Sequence, residues 1–441
     1  MTSKSKIKSY DLDYLWHPFT QMKEYGEDEP LVIESSDGVY LIDSDGKRYI
    51  DGISSLWVNI HGHKVKKIDA AIKKQIDKIS HSTLLGVTNP PASILAKKLI
   101  DIAPKGLKKV FYSGDGASAV EVALKMAFQY WLLKKKPAKQ KFVCLKDGYH
   151  GDTLGAVSVG GIDLFHSTYK PLLFKSFQIS SYDSSDETIK ELEDLLSRKS
   201  DEIAALIIEP YVQTAGGIKV AREGYLKDVR RVCDTYNVLL LVDEVATGFG
   251  RTGEMFACNH DDITPDILIL GKGLTSGYLP LSATITTQDV FDTFLGDYDE
   301  LKTFFHGHSY SGNPLSCVTA IANLEIFDEE KTISKIKKSI RILDDELKEF
   351  KGLRHVSDIR SKGLIAGIDL QKNPKKNISY ELNERIGKKV CDMARNEGVL
   401  IRPLDDTIVI MPPVSIKQKE LKKLTKSIYK CIKIVTEDEK E

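Results

Sequence analysis

Short apolar runs recur through the middle of the chain, separated by longer segments of helical spacing or polar loops. Strands are predicted at 110–112, 142–145, 204–208, 239–242 and 267–270. Runs without an alternating polar position are typical of strands that helices cover on both faces. The pattern therefore predicts an α/β fold with a mostly parallel central sheet covered by helices.

The pattern changes near residue 325, where charged amphipathic segments begin to surround short apolar runs. Helices are predicted at 331–350 and 381–397, and strands at 364–370 and 408–411. The first 65 residues combine short strands with turn signals. We predict a large domain of residues 66–325 and a smaller α+β domain that combines 1–65 with 326–441, whose last residues, 437–441, are expected to be frayed.

Composition excludes several classes of protein. The 441 residues carry 63 Lys and Arg against 63 Asp and Glu, whereas nucleic-acid binders usually carry a basic excess. The longest apolar runs are far shorter than the roughly 20 residues of a membrane helix, and no apolar core follows the basic N-terminus. The six cysteines show no metal-ligand spacing. They are expected to be free, mostly buried thiols, and the protein is expected to be cytoplasmic.

A lysine between two glycines, Lys272, follows the apolar run 267–270 directly. Burying an ammonium group without a partner is costly, so a lysine at the end of a core strand is unfavourable for stability. A partly desolvated lysine has a depressed pKa and attacks carbonyl carbon as the free amine, forming a Schiff base. The alternative is an ordinary solvated lysine in a strand-to-helix loop.

A glycine-containing loop, 114–117, follows the strand predicted at 110–112. Ser118 and Glu121 have the spacing of a capping box, which predicts that a helix starts there. Free backbone N–H groups and the helix dipole make such a helix N-terminus an anion site, so a phosphate is expected.

The same loop offers an alternative, because Gly114, Gly116 and Ala119 match the dinucleotide fingerprint G-x-G-x-x-G/A. That fingerprint also needs an acidic residue about 20 positions further along. The segment 134–141 is basic instead, and the first acid is Asp147. A nicotinamide-dependent dehydrogenase is therefore disfavoured.

An aspartate, Asp243, ends the very apolar run 239–242. A buried acid needs a partner. One interpretation is structural, with Asp243 as a cap or in a salt bridge to Arg251. The other is that it holds a proton on a heterocyclic nitrogen. A phosphate site, a buried acid and a Schiff-base lysine together match the requirements of pyridoxal phosphate.

The segment 243–253, Asp-Glu-Val-Ala-Thr-Gly-Phe-Gly-Arg-Thr-Gly, together with 271–273, resembles the class III aminotransferases of fold type I. The resemblance covers nearly the whole chain. It is strongest toward members that act in biotin biosynthesis, at four further motifs: 16–20, 51–57, 148–153 and 306–313. It implies a homodimeric aminotransferase that uses pyridoxal 5′-phosphate to convert 8-amino-7-oxononanoate to 7,8-diaminononanoate, with S-adenosylmethionine or L-lysine as amino donor. The alternatives are a general ω-amino-acid or diamine aminotransferase and a catalytically idle homologue; the idle homologue is disfavoured because Lys272 and Asp243 are both present.

The resemblance also implies the catalytic residues. Lys272 would bind the cofactor as a Schiff base and move the proton between Cα and C4′. Asp243 would pair with the pyridine nitrogen, and Tyr149 would lie against the cofactor ring and the substrate. Asp152 would support the polar network of the site.

Further positions follow from the same resemblance. Gly116 and Ala117 would donate backbone N–H groups to the phosphate, and Glu209 would bond neighbours of the cofactor. Gly307, His308 and Ser309 would reach across a dimer interface, with Ser309 on the phosphate of the other subunit's cofactor. The residues expected to contact substrate, besides Tyr149 and Lys272, are Phe19, Leu56, Trp57, Gly307 and Arg402, of which Arg402 would pair with a carboxylate.

Three positions depart from the members that use S-adenosylmethionine, and all lie on the substrate side. Phe19 replaces a tyrosine, Leu56 replaces a tryptophan, and a tyrosine near Val409 is absent. A site that orients a substrate through a hydroxyl discriminates strongly, so losing the hydroxyl matters. Relatives with phenylalanine at the first position include lysine users, which leads to the hypothesis that the donor is L-lysine. The phosphate loop, 114–117, also lacks one serine hydroxyl that relatives often have.

Overall fold

The structure is a computed structural model and describes residues 3–28 and 30–437. Residues 437–441 were predicted to be frayed, and all of them except residue 437 lie outside these ranges. Within the described ranges, no helix combines the length and the apolar character needed to cross a membrane. All six cysteines are free and buried, as predicted.

The helices and strands alternate through the middle of the chain. The helices are α1 Lys4–Tyr14, α2 Met22–Glu27, α3 Ser54–Trp57, α4 Lys66–Ile76, α5 Pro90–Ile102, α6 Gly116–Leu133, α7 Leu154–Ser158, α8 Asp163–His166, α9 Ser185–Lys199, α10 Tyr225–Thr235, α11 Gln288–Thr293, α12 Pro314–Glu329, α13 Thr332–Phe350, α14 Ile386–Asn396 and α15 Gln418–Glu437. The strands are β1 Ile33–Asp37, β2 Tyr40–Asp43, β3 Arg48–Asp51, β4 Leu107–Ser113, β5 Lys141–Leu145, β6 Phe177–Ile179, β7 Ile203–Ile208, β8 Val212–Gln213, β9 Lys219–Val220, β10 Leu239–Asp243, β11 Ile267–Leu270, β12 Ser282–Thr287, β13 Val356–Lys362, β14 Ile365–Leu370, β15 Val399–Leu400, β16 Pro403–Leu404 and β17 Thr407–Ile410.

A seven-stranded sheet forms the centre of the molecule, in the order β4-β12-β11-β10-β7-β5-β6. β12 runs antiparallel to both of its neighbours, and the other pairs are parallel. Every residue of β7, β10 and β11 is buried, because helices cover both faces of the sheet. The mostly parallel sheet and its five predicted strands are confirmed.

β12 and β6 were not predicted. β12 consists of serine, alanine, threonine and isoleucine, so it lacks the apolar run by which the other strands are recognised, although β-branched residues suit a strand. Its hydroxyls have a structural use. Ser282 Oγ donates to the carbonyl of Asp115 at 2.6 Å, and Thr284 Oγ1 donates to the carbonyl of Ala119 at 3.0 Å. These two bonds hold the start of α6 on the sheet.

The predicted capping box at the start of α6 is wrong. The cap is Asp115, whose Oδ1 accepts the Ser118 N–H at 2.8 Å and whose Oδ2 accepts the Ser118 hydroxyl at 2.9 Å. Glu121 turns away from the helix start and accepts the N–H of Gly155 at 2.8 Å. The helix therefore begins at Gly116, inside the glycine loop.

Strands from both ends of the chain share one sheet, of order β1-β2-β3-β15, in which β15 is parallel to β3. A second four-stranded sheet, β13-β14-β17-β16, is antiparallel.

The helix predicted at 331–350 is confirmed as α13. The helix predicted at 381–397 is shorter, because Leu382–Glu384 is a 3₁₀ turn and Arg385 has a left-handed φ of 50°. The division into domains stays a prediction.

The hydroxyl bond between β12 and α6 predicts a stability effect. Replacing Thr284 with valine keeps the shape but removes the bond, so the free energy of unfolding should fall by about 1 kcal/mol. Denaturant unfolding measures this change. The control is Thr286→Val on the same face of β12, where the described part of the chain offers the hydroxyl no hydrogen-bond partner; equal losses in the two variants would contradict the role of the bond.

Candidate active site

The carboxyl ends of the parallel strands open into one cavity of about 680 Å³. Seven of the residues predicted to form the site line it, each at or after the end of a strand: Gly116, Ala117, Tyr149, Asp152, Glu209, Asp243 and Lys272. Ligands of open α/β sheets bind at this edge. The structure therefore brings together side chains that lie up to 156 positions apart in the sequence.

Lys272 begins the 3₁₀ turn Lys272–Thr275 at the end of β11, with a positive φ of 38°. Burial lowers the pKa of its amine below the ordinary 10.5, although the charges of Asp243 and Glu209 oppose that shift. Lys272 Nζ lies 5.1 Å from the centre of the Trp57 ring. The turn itself is held by Asn323 on α12, whose amide donates to the carbonyls of Gly273 and Leu274 at 3.0 and 2.9 Å.

Asp243 is buried, and two contacts fix its carboxylate. Oδ2 lies 2.8 Å from Nδ1 of His150, which is itself buried, and Oδ1 accepts the N–H of Val245 at 3.0 Å. The salt bridge to Arg251 that the sequence left open does not form. The Arg251 guanidinium donates to the carbonyls of Asn59 and Pro412 instead, and burial lowers its pKa to about 9.

The anion-binding end of the cavity is the first turn of α6. Asp115 caps the N–H of Ser118, which leaves the N–H groups of Gly116 and Ala117 at the cavity. A Cβ atom at Gly116 would lie 2.8 Å from Cγ1 of Val245, so only glycine fits there without a shift of its neighbour. A helix start of this kind is suited to a phosphate.

Tyr149 connects the remaining polar groups of the site. Its hydroxyl donates to Asp152 Oδ2 at 2.7 Å, and its N–H donates to Glu209 Oε1 at 3.0 Å. Burial raises the pKa of Tyr149, and the bond to Asp152 raises it further. Burial also raises the pKa of Glu209, which accepts the N–H and hydroxyl of Thr214 at 2.9 and 2.6 Å. His166 stacks on the Tyr149 ring at 6.3 Å.

A second cavity, of about 120 Å³, adjoins the first. Its lining is mainly apolar, with one guanidinium, and it contains the predicted substrate contacts Phe19, Leu56, Trp57 and Arg402, together with Val409. Lys272 and Tyr149 line both cavities. Arg402 lies with Cζ 6.0 Å from the Phe19 ring centre, and no carboxylate of residues 3–28 or 30–437 pairs with it. The amine of Lys272 therefore lies where the two cavities meet.

Three predicted residues lie elsewhere in the single chain. Gly307, His308 and Ser309 are exposed and line neither cavity. The His308 ring packs edge-on against His306 at 4.9 Å, and the His308 N–H donates to Ser311 Oγ. Their predicted role requires a second copy of the chain, so it stays a prediction.

Two side chains that hold Asp243 and the Lys272 turn were not predicted. His150, the partner of Asp243, stands beside Tyr149 in the motif at 148–153, and its adjacency to that tyrosine was the available signal. Asn323 gave no signal, because it reaches the Lys272 turn from a helix about 50 positions away.

The residues present fit pyridoxal phosphate. An amine with a lowered pKa, a carboxylate fixed by His150, and free N–H groups at a helix start line the same cavity. They would hold its aldehyde, its ring nitrogen and its phosphate respectively. Tyr149 would lie beside the ring.

Comparisons with known proteins agree with this chemistry. The family model of the class-III aminotransferases matches residues 22–432. A protein of Geobacter sulfurreducens called adenosylmethionine-8-amino-7-oxononanoate aminotransferase is 48% identical over 443 residues, covering 98% of each chain. The crystal structure of the protein of that name from Methanocaldococcus jannaschii has a TM-score of 0.95 and 45% identity, and the match covers 98% of this chain and 99% of that one.

A more distant solved structure has the same fold. The ω-transaminase of Pseudomonas jessenii, in complex with PMP, has a TM-score of 0.93 at 29% identity, over 98% of both chains. The matches to these relatives and structures each cover 98% of this chain. The chain belongs to the class-III aminotransferases, which are transaminases that depend on pyridoxal phosphate.

Proposed function

We propose that this protein binds pyridoxal 5′-phosphate and transfers an amino group to 8-amino-7-oxononanoate, giving 7,8-diaminononanoate for biotin biosynthesis. The observation that supports the proposal best is the position of Lys272, where a polar cavity suited to the cofactor meets an apolar cavity that contains Arg402. The first cavity would hold the cofactor, and the second would receive the substrate.

The cofactor, when bound, supplies an aldehyde that captures amines and a ring that withdraws electrons from the substrate. Lys272 would hold that aldehyde and, as a neutral amine, would move the proton of the substrate carbon. Burial favours the neutral form by lowering the pKa of Lys272. Asp243 would keep a proton on the ring nitrogen, and His150 holds the carboxylate in place. Tyr149 and Asp152 orient the groups around the reacting carbon.

The substrate side suits a long chain that ends in a carboxylate. Phe19, Leu56 and Trp57 offer apolar surface to the hydrocarbon chain, and Arg402 offers a planar guanidinium to the carboxylate. Relatives at 48% identity are named for 8-amino-7-oxononanoate, whereas the ω-transaminases are 29–30% identical. The general ω-amino-acid aminotransferase therefore has less support.

The donor is the open part of the proposal, since the relatives are named for adenosylmethionine. Phe19 and Leu56 line the second cavity. Members that use S-adenosylmethionine have a tyrosine and a tryptophan at these positions, so this cavity lacks their hydroxyl and their indole ring. Val409, also on this cavity, is buried. We infer that L-lysine is the preferred donor, with S-adenosylmethionine as the alternative.

We further propose a cytoplasmic homodimer in which Gly307, His308 and Ser309 of the partner subunit complete each site, with Ser309 of the partner subunit on the phosphate. Large side chains flank this loop in the sequence and are exposed in the single chain: Phe305 is 72% and Tyr310 70% exposed. Exposed apolar surface of this kind is typical of an interface. The six buried, free thiols suit a reducing compartment.

The buried amine predicts the behaviour of Lys272→Met. Turnover should fall by at least about 10³-fold, because no group remains to bind the cofactor and move the proton. Borohydride should no longer attach cofactor to the protein, as judged by mass spectrometry. Multiple turnovers at a wild-type rate would contradict the proposed role of Lys272.

The same variant tests the electrostatic cost of the amine in the cofactor-free protein. Because burial lowers the pKa of Lys272 in the folded state, the unfolded chain binds more protons between that pKa and 10.5. Wild-type stability should therefore rise with pH through this window. Lys272→Met should be the more stable protein below it, and the difference should vanish as pH approaches 10.5, in melting curves recorded across pH.

Loss of the Arg402 charge should weaken binding of the acceptor. Arg402→Met is expected to raise the KM for 8-amino-7-oxononanoate roughly 10- to 100-fold, the value of a charge-assisted hydrogen-bonded pair. The variant should treat the acid and its methyl ester alike, whereas the wild type should prefer the acid. The control is Arg385→Met, which removes an exposed pair with Glu24. An unchanged preference for the acid in Arg402→Met would exclude Arg402 as the carboxylate partner.

The donor can be identified from the first half-reaction alone. Protein loaded with pyridoxal phosphate should lose its visible absorbance faster with L-lysine than with S-adenosylmethionine. Phe19→Tyr should speed the reaction with S-adenosylmethionine, since it restores a hydroxyl to the cavity. Rapid reaction of the wild type with S-adenosylmethionine alone would remove the lysine hypothesis and leave the aminotransferase assignment intact.

A further inference from the structure

The turn α3, Ser54–Trp57, is wound left-handed. Its four residues have φ values of 52°, 49°, 71° and 69° in chain order, and none of them is glycine. A left-handed helical backbone is unfavourable for L-residues, which normally adopt it one at a time. Unfavourable backbone of this kind persists only where the surroundings hold it, and it clusters at functional sites.

One carboxylate holds the turn from within. Asp51, fully buried at the end of β3, accepts the Ser55 N–H on Oδ1 and the Ser55 hydroxyl on Oδ2, both at 2.8 Å. Its Oδ2 also lies 3.1 Å from Nε2 of His63, whose Nδ1 lies 3.2 Å from Nδ2 of Asn59. The hydroxyl of Ser54 donates to the carbonyl of Met411 at 2.6 Å.

The backbone segments that bond to the chain at Asp51 and Gly52 also carry residues that line the substrate cavity. The N–H of Gly52 donates to the carbonyl of Leu400, two residues before Arg402, and the carbonyl of Gly52 accepts the N–H of Met411, each at 2.9 Å. Asp51 itself is paired with Leu400 between β3 and β15. The carboxylate is therefore held at a fixed place relative to Arg402.

The turn also presents two side chains to the reacting groups. Leu56 and Trp57 line the substrate cavity, and the Trp57 ring lies 5.1 Å from Lys272 Nζ. The direction of side chains around a helical turn depends on its handedness, so a right-handed turn of the same four residues would not present the same pair.

We propose that Asp51 is a positioning residue of the active site. Its carboxylate keeps α3 left-handed, and α3 in turn holds Trp57 against the Lys272 amine and Leu56 on the path of the substrate. The proposal rests on the proposed function for the identity of the substrate. Asp51 acts through the turn, since it lines neither of the two cavities.

The first test compares two buried aspartates of the same sheet. Asp51→Asn should lower kcat and raise the KM for 8-amino-7-oxononanoate, for a loss of at least tenfold in kcat/KM, while the affinity for pyridoxal phosphate stays unchanged. The control is Asp43→Asn, since Asp43 is also buried and accepts the Tyr49 hydroxyl and the N–H groups of Asp45 and Lys47. Asp43→Asn should lower the melting temperature and leave kcat and KM unchanged. Equal kinetic losses in both variants, or none in Asp51→Asn, overturn the proposal.

The second test is rescue by glycine, which adopts a positive φ without strain. Adding Ser55→Gly to Asp51→Asn should recover part of the lost kcat/KM, because the turn then needs less support to remain left-handed. A role of Asp51 in stability alone predicts no recovery. If Asp51→Asn fails to fold, Ser55→Ala, which removes only the hydroxyl bond, should show a smaller loss of the same kind, and wild-type constants in that variant overturn the proposal.

Hydrogen exchange separates this inference from the proposed function. In protein loaded with pyridoxal phosphate alone, the amides of residues 53–58 should exchange faster in Asp51→Asn than in the wild type, and slower again once Ser55→Gly is added. Failure of the wild type to aminate 8-amino-7-oxononanoate would remove the proposed function without affecting this measurement. Unchanged exchange in Asp51→Asn would overturn the proposal that the Asp51 carboxylate keeps the turn left-handed.

Discussion

The withdrawal of one lysine amine from water is the constraint on which the site depends. An ammonium group buried without an adjacent counter-ion is unfavourable, and Lys272 escapes that penalty by losing its proton more easily than an exposed lysine. The charges of Asp243 and Glu209 oppose this shift, so burial must outweigh them. The apolar strands β10 and β11 and the ring of Trp57 provide that burial.

Parallel strands make such an arrangement possible because their carboxyl ends lie along one edge. Five strands place groups at this edge: the start of α6 follows β4, Tyr149 and His150 follow β5, Glu209 follows β7, Asp243 ends β10, and Lys272 follows β11. Between β4 and β11 runs the antiparallel β12, whose hydroxyls bond the backbone of α6. The sheet thus sets the distance between the phosphate site and the amine.

The site residues that local sequence pattern alone predicted are those that follow a strong local signal, whereas the others were implied by the resemblance to the family. Lys272, Asp243 and Gly116 each follow an apolar run, so the edge of the sheet could be assembled from the strands alone. Residues whose partners are distant in sequence had no such signal: Asn323 on α12 holds the Lys272 turn, and Thr284 bonds α6 from β12. The left-handed turn at Ser54–Trp57 was equally invisible, because its sequence contains no glycine to indicate a positive φ. The start of α6 was misplaced because Asp115 caps as well as serine does, and it lies three residues earlier.

The most direct measurement of the central claim is the pKa of the Lys272 amine in the cofactor-free protein. The rate at which an amine-specific reagent labels Lys272, followed by peptide mapping across pH, reports that pKa. We expect half-maximal labelling at a pH clearly below 10.5, with the surface lysines near the ordinary value. Labelling of Lys272 with the same pH dependence as the surface lysines would show that the amine is not withdrawn from water, and would contradict the chemistry assigned to it.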